Sequence, residues 1–344
     1  GEEVYLKDNE KPLMVHVSDP ETIDQTRRAV TNDGTIDAGD NGSVLFGAAD
    51  AYALAIHNTG EVRGRNVSMI GTGGSVRHDG LIDASSDTGA GGSVELLGER
   101  VLVDTGATID ASGRTDGGTI HLGGDYRGEG DRPTAQYTIL GDEATLNADA
   151  GENGDGGTII VWSDRATWFT GKITAKGGSQ SGDGGFAEVS GYESLVAHGQ
   201  YDLSATDGGR GRLLFDPLAV VITGGNGDGS DVNFGAGGLI GVPTATDANT
   251  LVDRIDTTVT PNDVYVASVN YGTVGDGAIP FVIRESEIEQ SAVGFDISIL
   301  ARQSITTSGT FSDANLTVPD GLDLFLTTRN NAALGDNPGN IDLT

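Results

Sequence analysis

Leu146-Asn147-Ala148, Ile173-Thr174-Ala175 and Leu203-Ser204-Ala205 open three copies of one pattern within the stretch that ends at Pro217. A glycine-rich break follows each triad: Gly151 to Gly157, Gly177 to Gly185, and Asp207 to Gly211. A second apolar run closes each copy: Ile159-Ile160-Val161-Trp162, Phe186-Ala187-Glu188-Val189 and Leu213-Leu214-Phe215. The opening positions 146, 173 and 203 lie 27 and 30 residues apart. A step of that size predicts stacked units, each burying its apolar face against its neighbours.

Working outward, the same opening recurs upstream at Gly34-Thr35-Ile36-Asp37-Ala38, Gly60 to Gly64, Gly80 to Ala84 and Ala107 to Ala111. Anchors are then Ile36, Val62, Ile82, Ile109, Leu146, Ile173 and Leu203, with steps of 26, 20, 27, 37, 27 and 30 residues. Side chains alternate along a strand, so each anchor and the small residue two positions on face inward, and the residue between them faces out. Gly-Gly and Asp-Gly pairs supply the corners. Units of two or three short strands with such corners predict a β-solenoid. The 37-residue step predicts a loop or hairpin excursion over Gly124 to Pro133. An antiparallel sandwich is the rival fold, but recurrence of like residues in columns favours stacking.

The organisation expected is lead-in strands over 1–30, regular repeats over 31–217, and a continuing, less regular solenoid over 218–344. In the last part Thr246-Asp247 predicts the cap of a short helix near 247–256. The repeat runs on to Thr344, which predicts continuation in a longer chain or association with further copies, end to end or lateral.

Composition narrows the function. There are 344 residues, 55 of them Gly, no Cys and a formal net charge of -31. Such acidity lacks the basic stripe that neutralises phosphates, so nucleic acid is not an expected partner. No apolar run approaches the roughly 20 residues of a membrane helix, so membrane insertion is not expected either.

Several runs are similar to recurrent motifs of the large filamentous-haemagglutinin-like exoproteins. These are Gly117 to Tyr126, Asp155 to Asp164, Phe169 to Lys176, Gly182 to Gly191 and Leu213-Leu214-Phe215-Asp216-Pro217. Their order and spacing match over residues 31–217, and more loosely beyond. That family comprises bacterial proteins exported by two-partner secretion, including the high-molecular-weight adhesins. The resemblance implies a right-handed parallel β-helix, an extracellular or cell-surface location, and a role in attachment or surface architecture. Host or neighbouring-cell glycans or proteins are the partners it implies. The family's amino-terminal secretion domain carries an Asn-Pro-Asn-type run, which is missing here. The resemblance therefore implies an interior shaft.

Candidate chemistry is sparse. The anchor register stacks Asp37, Arg63, Asp83, Asp110, Asn147, Thr174 and Ser204 in one outward column. Asp83 over Asp110 is a potential carboxylate pair for acid–base work. A solvated ladder is the preferred reading, because no Arg, Lys or His cluster stands in phase with the pair. No catalytic residue is assigned, and the chain is not expected to be an enzyme. Asp116, Asp155, Asp183 and Asp207 recur at the Asp-Gly-Gly corners and are the candidate calcium ligands. Ordinary turn chemistry is the competing reading of those corners, so no cofactor is expected unless calcium is one. The five histidines show no metal spacing, and Trp162, which alternates with Ile160, is expected to be packed rather than to stack on sugars. Asn41, Asn66 and Asn315 begin acceptor sequons for N-glycans. The rival function is a glycan-binding or glycan-cleaving β-helix. It requires an open groove with carboxylates and aromatic residues on successive coils.

Overall fold

The structure, a computed structural model, describes residues 13–17, 28–48, 54–197, 199–223, 281–284, 295–308, 323–328 and 340–342. It is a parallel β-helix. One face is a ladder of ten parallel strands: Leu13–Val17, Ser43–Ala48, Asn66–His78, Ser93–Val103, Thr119–Leu122, Thr158–Ser163, Phe186–Gly191, Gly211–Phe215, Phe295–Ala301 and Leu324–Thr328. A second face follows the first around a bend. Asn66–His78 and Ser93–Val103 continue into it, and it also holds Arg28–Asn32, Leu54–Asn58, Tyr137–Leu140, Ala166–Phe169 and Ser194–Ala197. The third face is a separate seven-stranded sheet running from Thr35–Asp37 to Gln200–Asp202. Three short strands per coil is the upper of the two expected numbers.

Stacking follows from side-chain size at each register. On the first face Val44, Val67, Val94, Ile120, Ile159, Ala187, Leu213 and Ile297 succeed one another, all nearly or fully buried. On the third face the inward column is Ile36, Val62, Ile82, Ile109, Leu146 and Ile173, as the spacing predicts. Burying one such side chain contributes about 1.5–3 kcal/mol. Ala84, Ala111, Ala148 and Ala175, two residues after their anchors, are also buried.

One anchor differs from the expectation. Ile173 pairs with Tyr201, not Leu203, and Thr174 pairs with Asp202, not Ser204. The last step is therefore 28 residues. Tyr201 fits because Phe169 stacks on it at 5.4 Å and Phe215 meets its edge at 6.0 Å. Leu203 is pushed into the slot that alanine fills in earlier coils, and is likewise fully buried.

A second departure concerns order. Ala219–Thr223 has Ser304–Ser308 on one side and Phe281–Arg284 on the other, all parallel. Phe281–Arg284 is thus inserted out of chain sequence, on the side of the earlier coils, while Gly211–Phe215 pairs directly with Phe295–Ala301. Phe281 packs on Phe215 at 5.1 Å between ring centroids. The helix expected near 247–256 lies outside the described residues, as do Asn315 and His198.

Candidate functional site

Among the described residues, polar chemistry gathers at places that include the outward column of the third face, the glycine corners beside it, and a node under the excursion that follows Leu122.

In the outward column each carboxylate or amide closes a local turn. Asp37 accepts from the amide of Gly39, Asp83 from Ser85, Asp110 from Ser112, Asn147 from Asp149 and Asp202 from Ser204. Arg63 reaches Glu61 at 2.5 Å and Asp83 at 3.7 Å. Asp83 and Asp110 occupy successive coils as the register requires. One oxygen of each is committed to the backbone, which makes the pair a turn-capping ladder rather than a shared-proton dyad.

The corner aspartates also form a ladder. Asp116 accepts the amide of Asp155 at 3.2 Å, Asp155 that of Asp183 at 2.7 Å, and Asp183 that of Gly209 at 2.6 Å. Asp207 is exposed and stands outside this row, because Gly209 supplies the amide there. Among the described residues no three His, Cys, Asp or Glu side chains gather as a metal cluster. Beside these corners runs an open groove of about 610 Å³ crossing five coils. Ser85, Ser112, Arg114, Asn147, Lys176 and Ser204 are among its lining residues, and no aromatic side chain is. Lys176 pairs with Asp149 at 3.2 Å, and Arg114 with Glu152 at 3.2 Å. Asn41 and Asn66 are both exposed.

The third place is one that spacing alone did not locate. The excursion has no strand. It is a loop with a short helical turn, Tyr126–Gly128, folded back over the outer surface of the first face. Trp162 lies beneath Gly124 and Gly128 and is buried, as is Trp168. Tyr126 meets the edge of Phe186 at 5.8 Å. Under the turn sits Glu188, fully buried between Ile160 and Leu214 in register. Its Oε2 accepts the amide of Arg127 at 2.9 Å, while its Oε1 has no hydrogen-bond partner. Asp216, also fully buried, faces Arg127 at 3.3 Å and Arg302 at 3.4 Å. The Arg302 guanidinium lies 4.4 Å from the Tyr192 ring and 5.4 Å from that of Trp162. Burial pushes the Glu188 carboxyl up to about 8; the Arg127 amide and the Ser190 hydroxyl oppose this, and Asp216 adds to it. The one sequence signal was an acidic residue at an outward strand position with an apolar residue before and after it in its column.

Two of the histidines have structural partners as well. His78 is buried and held by Asn58 at 3.0 Å and the carbonyl of Thr108 at 3.1 Å. His57 bonds Asp79 at 2.8 Å.

No family model matches the chain, and no curated protein matches it. Among solved structures it is similar to the HMW1 secretion domain from Haemophilus influenzae, with 29% identity over 52% of this chain and 48% of that one and a TM-score of 0.43. The chain thus spans about half the length of that domain. The fold assignment rests on the strand pairing itself.

Proposed function

We propose that this chain is a shaft segment of a secreted or cell-surface β-helical exoprotein, serving attachment or fibre architecture. The observation that carries the reading is the parallel ladder of ten strands on one face. Its interior is continuous, and the polar columns beside it are spent on capping their own turns or the corner of the next coil. Such a molecule resists bending because every coil is hydrogen-bonded to the next. Its acidic exterior keeps it dispersed in water. The motif resemblance over residues 31–217 supports export, and parallel coils can extend by pairing with further coils of the same kind.

Fractionating cells that produce the native protein, with antibody labelling of intact cells, tests the location. Recovery in the medium or on the surface is expected; confinement to the cytosol would overturn the proposal. Surfaces coated with the purified protein should also retain cells better than uncoated ones.

A second reading is favoured by one observation, the polar groove across five coils. At ~4.8 Å per coil it is about 20 Å long, room for a few sugar rings. Incubation with polysaccharides separates the two readings. Saturable binding or chain shortening that is lost in Asn147→Ala and Lys176→Ala would make this a glycan-binding or glycan-cleaving protein instead.

A further inference from the structure

We propose that the loop over residues 123–136 is a pH-sensitive latch, held shut by the neutral carboxyl of Glu188 and released when that carboxyl ionises. Besides the pairing of Arg127 with Asp216, the tip of the closed loop makes these contacts with the strands it covers. Gly128 lies on Trp162, Tyr126 on Phe186, and the Arg127 amide on Glu188. Arg127 has φ 59°, a left-handed conformation that a non-glycine residue holds only when its surroundings enforce it. The bond from its amide to Glu188 Oε2 is one such constraint.

The charged and titratable groups around Glu188 explain why ionisation would not be absorbed in place. Arg127 comes from the loop, with Tyr126 and Glu129 beside its guanidinium; Asp216 comes from beyond the end of Gly211–Phe215 and pairs with Arg302, from the end of Phe295–Ala301. The column neighbours Ile160 and Leu214 carry no charge. Arg212 is turned to Phe186, 5.2 Å from its ring. Both guanidiniums at the node, Arg127 and Arg302, are directed at Asp216. Glu188 receives one backbone amide and the Ser190 hydroxyl, while its Oε1 lacks a hydrogen-bond partner. A second full charge there is buried, and lies beside the Asp216 carboxylate. The root of the loop is secured separately, since Arg132 bridges Glu95 at 2.6 Å and Asp125. The tip can lift while the root holds.

The direction follows from proton counting. In the closed state Glu188 keeps its proton up to about pH 8. With the loop lifted, water reaches the carboxyl and it loses the proton near its ordinary value of 4.5. Between those values the open state holds one proton fewer, so opening gains about tenfold for each pH unit and levels off above the upper value.

Amide exchange of the 123–136 peptide in the full chain, measured from pH 5 to 9 beside Glu188→Gln, tests this. Division by the variant's rate at each pH removes the intrinsic pH dependence of exchange. The ratio should climb by at least a hundredfold between pH 5 and 8, then flatten. A ratio constant with pH would overturn the proposal. Should the variant not fold, the wild-type peptide is divided instead by the amides of Asp87 and Thr88, both exposed, in the same molecule. The same climb is expected, and a constant quotient is equally fatal.

Discussion

At the scale of the residue, position relative to the wall decides everything. Ile109 and Asp110 are neighbours in one short strand, yet Ile109 is fully buried in the interior column and Asp110 caps a turn outside. Ile109→Ala leaves a cavity that stacked coils cannot collapse, so a loss of about 2–5 kcal/mol is expected in urea denaturation. Asp110→Ala removes one partly exposed hydrogen bond, about 0.5–1.5 kcal/mol at most. Glycine is required at Gly182 by two independent constraints. Its φ is +118°, and a Cβ there would lie 1.8 Å from the Gly154 carbonyl oxygen of the coil below. Gly182→Ala is therefore expected to cost more than ~1 kcal/mol, and the same denaturation curves check it.

At the scale of the element, the bend between the second and third faces carries a ladder of defined direction. Asn32 donates to Asn58 Oδ1 at 2.7 Å, the Asn58 amide donates to His78 Nδ1, and His78 Nε2–H donates to the Thr108 carbonyl. This order requires neutral His78, because a second ring proton would face the Asn58 amide donor. Burial lowers its pKa from 6.5 to about 4, with the bond to Thr108 opposing. The sign is opposite to that of Glu188. Stability conferred by neutral His78 is complete above pH 6.5 and is lost as pH falls through about 4, a total of about 3 kcal/mol. Denaturation midpoints of wild type should fall across that window, and those of His78→Asn should fall less. Equal slopes would show that the ladder does not set the acid limb.

At the scale of the whole molecule, the ten described strands on one face, at ~4.8 Å spacing, make a stack about 45 Å long. The corners close by amide bonds to Asp116, Asp155 and Asp183, so the stack is expected to hold without a bound ion. Removing calcium with a chelator should shift the thermal midpoint by less than ~1 °C, whereas a tightly bound ion would add several kcal/mol by mass action. A larger drop in differential scanning calorimetry would restore the corner aspartates as ligands. Electron micrographs of the native protein should show rods joined end to end or side by side if further copies are its partners.

The sequence by itself determined the stacking, the inward column from Ile36 to Ile173 and the turn chemistry of the corners. These follow from local periodicity, since a strand's alternation and a glycine's freedom need no knowledge of distant residues. Tertiary structure decided the rest. Tyr201 took the anchor place from Leu203 because aromatic partners, Phe169 and Phe215, stood in neighbouring coils. Phe281–Arg284 entered the stack out of order, which no spacing rule along the chain encodes. Glu188 became a buried acid because a loop 61 residues earlier folded over it, and burial belongs to the assembled surface rather than to the residue that undergoes it.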